Sequence, residues 1–194
     1  MQRTIKKRME VLMKLMLASL LLSIFFVLTG AYADVIRSTV AMHAGLSAFR
    51  PGAAIPIALR IELPEGWYTY AADPGDAGMP PDIRFSAPEG IKIGEWRFPP
   101  HETFTDSVGT YYGFKREVVL LNEIHVPDDI PADSNLRVIF NVVWMICKDV
   151  CLPFRDRLTL TLPQASDGEA LTEVESWSEL LRSGGWGKEE DNAE

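Results

Sequence analysis

Large apolar residues recur at every second position over several short stretches of this chain. From 136 to 146 the apolar side chains occupy every second position, and so do the leucines from 158 to 162. Alternate residues of a strand share one face, so each stretch predicts a strand with one buried face. Residues 55–63 show the same pattern, with isoleucine or leucine at each odd position.

Weaker patterns complete a predicted all-β domain. Further strands are predicted at 35–43, 83–85, 91–98 and 118–126, separated by proline and glycine signals. The pattern predicts no long helix before residue 165, so about seven short strands indicate a β-sandwich. The Gly- and Pro-rich stretch 73–81 predicts an ordered surface loop without regular structure. Residues 102–113 are interpreted as a loop carrying exposed or half-exposed aromatic rings.

The two ends of the chain differ from this middle part. Arg3, Lys6, Lys7 and Arg8 precede an apolar run from Leu15 to Leu28, which is followed by Ala31-Tyr32-Ala33. This is the pattern of a secretory signal peptide, residues 1–33, cleaved before Asp34. The alternative is an uncleaved membrane anchor, although the run is shorter than the roughly 20 residues that a span requires. At the other end, residues 166–194 are predicted to form a short amphipathic helix, within 169–182, and a disordered acidic tail from Ser183.

Removal of residues 1–33 makes the remaining chain strongly acidic. The full chain has 19 basic and 27 acidic residues, and residues 1–33 contain five basic residues and one acidic residue. The remaining chain therefore has 14 basic and 26 acidic residues, a net charge of −12. Such a surface repels nucleic acid and anionic lipid, so neither is expected as a partner. We expect a soluble exported domain, residues 34–165, in the bacterial periplasm, where disulfides can form and persist.

Cys147 and Cys151 are the only cysteines of the sequence, and they lie in the connection between two predicted strands. A disulfide requires Cα atoms roughly 4.4–6.8 Å apart, whereas an extended chain would separate them by roughly 13 Å. The chain must therefore turn back at 148–150 if the pair is to close. Lys148 would stabilise a thiolate at Cys147 and Asp149 would oppose it, so local charge does not identify the nucleophile.

The spacing leaves three interpretations of this cysteine pair. A structural disulfide is one, although so short a loop contributes only about 2 kcal/mol in the chain-entropy account. A reversible, redox-active disulfide is the second. The third is copper(I) binding by the two sulfurs with Met145. His43, His101 and His125 are scattered without ligand spacing, so neither a zinc site nor a cofactor is expected.

Several motifs beyond the cysteines resemble the N-terminal periplasmic domain of the thiol:disulfide interchange protein DsbD, in the branch that includes ScsB-like proteins. They occur in the family's order over most of the chain after residue 33: Gly66-Trp67-Tyr68-Thr69-Tyr70, Pro74-Gly75-Asp76-Ala77-Gly78 with Pro80-Pro81, Trp96 with Pro99-Pro100, Tyr111-Tyr112-Gly113, and Trp144 to Pro153.

This resemblance implies an immunoglobulin-like β-sandwich that relays electrons through a Cys147/Cys151 disulfide. Cys151 is expected to form the mixed disulfide and Cys147 to resolve it. Tyr111-Tyr112-Gly113 resembles the family's cap, an aromatic lid over the disulfide, and Tyr68 and Tyr70 match positions that line the site. The implied partners are thioredoxin-fold proteins and, since the family's usual downstream domains are not in this sequence, a separate membrane electron carrier. The best-known DsbD domain has more than three residues between its cysteines.

Overall fold

The computed structural model describes residues 13–17, 19, 36–105, 107, 109–131, 135–166, 176–183 and 186. The chain divides into two units, Met1–Ile36 and Arg37–Glu194. In the first unit, residues 13–17 and 19 are helical and exposed. Among the described residues, no helix combines the length and apolar character needed to cross a membrane. The predicted signal peptide lies almost entirely outside the described residues and stays a prediction.

The second unit is built from strands, in agreement with the predicted all-β class. In chain order the strands are β1 (Thr39–Ala44), β2 (Ala54–Glu62), β3 (Tyr68–Gly75), β4 (Asp82–Ser86), β5 (Lys92–Ile93), β6 (Glu102–Thr105), β7 (Thr110–Lys115), β8 (Glu117–His125), β9 (Asn135–Cys147) and β10 (Cys151–Pro163). A short helix, α1 (Trp177–Ser183), follows them.

The strands form two sheets that enclose one apolar core. The four-stranded sheet has the order β1-β2-β8-β5, and the six-stranded sheet has the order β10-β9-β3-β7-β6, with β4 also paired to β9. Every pairing between these strands is antiparallel. The predicted inward positions of β9, from Leu136 to Ile146, are at most 2% exposed. The predicted immunoglobulin-like β-sandwich is therefore confirmed.

Three local predictions were wrong. Residues 102–113 are not one loop, because β6 and β7 pair there as an antiparallel hairpin. The stretch 73–81 is not wholly irregular, since β3 continues to Gly75 through a register shift after Tyr70. Conversely, the predicted strand 91–98 reduces to Lys92–Ile93 and an isolated bridge at Arg97. In each case pairing with a neighbouring strand, which local sequence does not specify, decided the outcome.

The C-terminal segment packs on the outer face of the four-stranded sheet. Trp177 and Leu180 of α1 are each 8% exposed and form an apolar cluster with Ala58, Val119 and Leu121. The Trp186 indole N–H donates a hydrogen bond of 2.7 Å to the Val119 carbonyl oxygen. The predicted tail was therefore wrong at its start, because Ser183 ends the helix and Trp186 is packed. Residues 169–175 of the predicted helix and 187–194 of the tail lie outside the described part.

Candidate functional site

The two cysteines face each other across the end of a β-hairpin. Cys147 is the last residue of β9 and Cys151 the first of β10, and the two are direct cross-strand partners. Their sulfurs form a disulfide, with the Cα atoms 4.1 Å apart. The three residues 148–150 make the turn, as the spacing predicted for a closed pair. Because the strands are paired along their whole length, the sandwich holds the disulfide at the tip of its longest hairpin.

The disulfide lies on the outer face of the six-stranded sheet. Side chains alternate along β9, so Trp144 and Ile146 enter the core whereas Met145 and Cys147 point the other way. On that outer face Cys147 joins a second, smaller apolar cluster. We call this group the aromatic cluster, and its other members are Tyr68, Tyr70, Phe104, Tyr111 and Met145.

Backbone pairing brings the tyrosines of β3 to the sulfurs. Tyr68 is in register with Cys147, and the buried Thr69 hydroxyl donates a 2.8 Å hydrogen bond to the Met145 carbonyl oxygen. On the other side of β3, Gly113 approaches so closely that a Cβ there would lie 2.0 Å from the Thr69 carbonyl oxygen. The short motif from Tyr68 to Tyr70 is thus held between β9 and β7.

Tyr70 makes the polar contact with the disulfide. Its hydroxyl donates a hydrogen bond to Cys147 Sγ at 3.3 Å and lies 3.8 Å from Cys151 Sγ. The Tyr70 ring is 3% exposed. Rings stand edge-on to it on two sides, Tyr68 at a centroid distance of 5.5 Å and Tyr111 at 6.5 Å. Tyr70 therefore presents its hydroxyl to the sulfurs from a packed, largely dry position.

The two halves of the disulfide differ in their access to solvent. Cys147 is 1% exposed, whereas Cys151 is an exposed residue, as are Lys148 and Asp149 of the turn. Val150, directly before Cys151, is 59% exposed. Cys151 is therefore the more exposed residue of the disulfide, while the Tyr70 hydroxyl lies close to its sulfur as well. Thiol–disulfide exchange depends on which sulfur is attacked and on access to it.

Most of the predicted site residues meet at this place. The structure brings five of them together: Cys147, Cys151, Tyr68, Tyr70 and Tyr111. Tyr111 is 6% exposed there. The predicted cap residues Tyr111, Tyr112 and Gly113 do not form a loop but lie within β7.

Tyr112 is not part of the aromatic cluster. It alternates with Tyr111 along β7 and packs towards the main core, where its ring lies 4.8 Å from that of His101. The structure therefore brings one of the two adjacent tyrosines to the disulfide and turns the other away from it.

Sequence reasoning missed Phe104 as a member of the site. Phe104 pairs in register with Tyr111 across the β6–β7 hairpin, and its ring packs against Tyr68 at 5.2 Å. Lys115 Nζ lies 4.6 Å from the centroid of the same ring. Thr103 and Thr105 flank Phe104. This polar–apolar–polar alternation is typical of a strand and could have predicted β6.

The residues considered for metal binding are not assembled in the described part of the chain. Within it, no three His, Cys, Asp or Glu side chains are grouped as a metal site would require. His43 is in β1, His125 ends β8, and His101 stands beside Tyr112. Met145 does share the aromatic cluster with Cys147. In the disulfide form the two cysteines offer no thiolate ligand.

Comparison with known proteins connects this site to a family. A model of the N-terminal domain of the thiol:disulfide interchange protein DsbD matches residues 39–163. A search of curated proteins found no match.

Among solved structures, the N-terminal periplasmic domain of ScsB from Proteus mirabilis is similar to this chain, with a TM-score of 0.56 and 20% sequence identity. The match covers 79% of this chain and 55% of the ScsB domain. The match therefore spans about half the length of the ScsB domain. The reduced N-terminal domain of Neisseria meningitidis DsbD also matches, with a TM-score of 0.37 and 15% identity, over 64% of this chain and 91% of that one.

Proposed function

Since this chain belongs to the family of the N-terminal domain of the thiol:disulfide interchange protein DsbD, we propose that it relays electrons between proteins by reversible exchange at Cys147–Cys151. The observation that carries the proposal is the unequal exposure of the two cysteines, with Cys151 an exposed residue and Cys147 a buried one. A disulfide that serves only to hold a hairpin together has no need of one exposed cysteine beside a buried one.

The reaction begins with a thiolate of a reduced partner attacking Cys151 Sγ. The disulfide breaks and its electron pair leaves on Cys147 Sγ, to which the Tyr70 hydroxyl already donates a hydrogen bond. A second thiolate of the partner then attacks the partner's own sulfur in the mixed disulfide and releases Cys151. The partner's dithiol becomes a disulfide, and this chain gains two electrons and, as its thiolates are protonated, two protons.

Delivery of the electrons is the reverse sequence with another protein. The Cys151 thiolate attacks the disulfide of that protein, and one of its sulfurs leaves as a thiolate. Cys147 then attacks Cys151 Sγ, releases the reduced protein and restores the original disulfide. The roles of Cys151 as the attacking sulfur and Cys147 as the resolving one are supported by their exposure.

The aromatic cluster serves as a cover for the disulfide. Tyr68, Tyr70 and Tyr111 pack around Cys147, and the Tyr70 hydroxyl also lies 3.8 Å from Cys151 Sγ. Rings that border both sulfurs limit reaction with small thiols. A partner protein of matching shape displaces or accommodates the rings. Tyr111 is the cap residue in this proposal, and Tyr112, which packs elsewhere, has no part in it.

We assign the partners and the compartment on the same basis. The partners are thioredoxin-fold proteins and a membrane electron carrier. The chain acts in the bacterial periplasm after cleavage of residues 1–33, with residues 34–165 as the exchange domain and without membrane insertion. The acidic surface that remains after cleavage favours protein partners over nucleic acid.

A trapping experiment tests this function. Cys147→Ser leaves Cys151 as the single thiol, so incubation with an oxidised thioredoxin-fold protein is expected to accumulate a mixed disulfide through Cys151. Cys151→Ser is the matched control and is expected to trap far less, because Cys147 is covered. Trapping by the control variant alone would reverse the assignment of roles, and no trapping by either would refute the proposal.

Two alternative functions are separated by equilibrium measurements. A purely structural disulfide predicts a reduction potential below about −300 mV, whereas a relay predicts a higher value in a glutathione or thioredoxin buffer. Copper handling, which the position of Met145 beside Cys147 favours, predicts Cu(I) binding by the reduced chain. That binding should disappear in a Cys147→Ser/Cys151→Ser variant.

A further inference from the structure

The glycine- and proline-rich segment after Tyr70 contacts the aromatic cluster at successive positions. Gly78 lies against the Tyr70 ring, and a Cβ built on it would be 2.2–2.5 Å from three ring carbons. Gly75 is in register with Tyr111, and a Cβ there would lie 2.3 Å from the Thr110 carbonyl oxygen. Both glycines have positive φ, 83° for Gly75 and 120° for Gly78. Substitution at either would strain the backbone as well as displace these neighbours.

Asp76, between these glycines, makes a reciprocal pair of hydrogen bonds with Thr110. The Asp76 backbone N–H donates to the Thr110 carbonyl oxygen at 2.9 Å. In return, the Thr110 backbone N–H donates to Asp76 Oδ2 at 2.8 Å. The second bond involves a carboxylate, and hydrogen bonds to charged acceptors are stronger than neutral ones. Thr110 is the residue directly before Tyr111.

We propose that Asp76 is a positioning residue that holds Tyr111 over Tyr70 and thereby sets the access of thiols to the disulfide. This inference rests on the proposed function, because it concerns the cover of the same site. It assigns a role to the Pro74–Gly78 motif, none of whose residues is a member of the aromatic cluster itself. Asp76 acts on Tyr111 through the backbone of Thr110, so its effect depends on the ring being present.

Removal of the carboxylate frees the start of β7 on the side of Thr110. Asp76→Ala is expected to increase the rate at which dithiothreitol reduces the disulfide by roughly fivefold, the population shift that follows loss of one solvent-exposed hydrogen bond. Asp76→Asn keeps an acceptor oxygen and is expected to restore most of the slow rate. Asp82→Ala is the matched control, since that exposed carboxylate on β4 pairs with Arg84 alone among the described residues and its loss should leave the rate unchanged.

A second variant reaches the same contact without altering the carboxylate. A Cβ on Gly109 would lie 2.6 Å from Asp76 Oδ2, so Gly109→Ala pushes the carboxylate away from Thr110. Gly109→Ala should accelerate reduction as Asp76→Ala does.

A double-mutant cycle separates positioning from general destabilisation. Tyr111→Ala should accelerate reduction by itself, and adding Asp76→Ala to it should have no further effect if Asp76 acts through the ring. Two results would overturn the inference. One is equal acceleration by Asp76→Ala in the wild-type chain and in Tyr111→Ala. The other is a rate within twofold of wild type for both Asp76→Ala and Gly109→Ala. Because dithiothreitol reduces any accessible disulfide, these outcomes do not depend on protein partners, and failure of the trapping experiment would instead count against the proposed function.

Discussion

The hydrogen bond from Tyr70 to Cys147 leads to a quantitative prediction for Tyr70→Phe. The substitution removes one oxygen atom and keeps the ring that packs between Tyr68 and Tyr111. The hydroxyl lies 3.3 Å from Cys147 Sγ, the sulfur that leaves as a thiolate when Cys151 is attacked. Loss of the donor should therefore destabilise the charge that develops on Cys147 in the transition state.

The size of the effect follows from the kind of bond that is lost. A hydrogen bond to a fully charged group contributes about 1.5–3 kcal/mol. The leaving sulfur carries only part of its charge in the transition state, so we take about 1 kcal/mol, which corresponds to roughly fivefold in rate. Tyr70→Phe should therefore slow reduction by dithiothreitol roughly fivefold.

The assay quenches the reaction at intervals with a maleimide and counts the modified cysteines by mass spectrometry. Tyr68→Phe is the matched control, because Tyr68 belongs to the same aromatic cluster while its hydroxyl has no hydrogen bond to either sulfur among the described contacts. An unchanged or faster rate in Tyr70→Phe would refute the reasoning, as would equal slowing in Tyr68→Phe. A faster rate would mean that the hydroxyl acts mainly by holding the cover closed.

Three further predictions concern the turn, the C-terminal helix and a half-buried histidine. Val150→Ser should slow exchange with a thioredoxin-fold protein about fivefold, the loss expected for one apolar interface contact, and leave reduction by dithiothreitol unchanged; equal slowing with both reductants would contradict a docking role. Trp177→Ala should lower the free energy of unfolding by about 3 kcal/mol in urea titrations, because a buried ring is lost from α1, whereas the exposed Ser178→Ala should be neutral. The pKa of His43 is lowered by burial and by the charge of Arg60, so the unfolded chain takes up a proton at His43 more readily than the folded chain does. The free energy of unfolding should therefore fall as pH drops below about 6.5, by at most about 1.4 kcal/mol per pH unit. Urea titrations at pH 7.5 and 5.5 should show a smaller pH effect in His43→Gln, and an equal effect would exclude His43 as its source.

Local patterning was sufficient for the parts of the fold whose signal lies within a few residues. The alternation from Leu136 to Ile146 predicted both β9 and its buried face, because the period of a strand is a property of the backbone alone. The separation of Cys147 from Cys151 likewise required a turn if the pair closed, since bond lengths limit where the two Cα atoms can lie. The order of the tyrosine, glycine and proline motifs carried the resemblance to the family.

The arrangement of the site depended on pairings between segments distant in sequence. Tyr111 and Tyr112 are adjacent and chemically identical, and only the register of β7 against β3 sends one to the disulfide and the other towards His101. Phe104 enters the site for the same reason, through β6. A shift of one residue would exchange the two faces of a strand. The sequence by itself therefore determined which residues were available for exchange chemistry, and long-range hydrogen bonding and packing decided which of them surround the sulfurs.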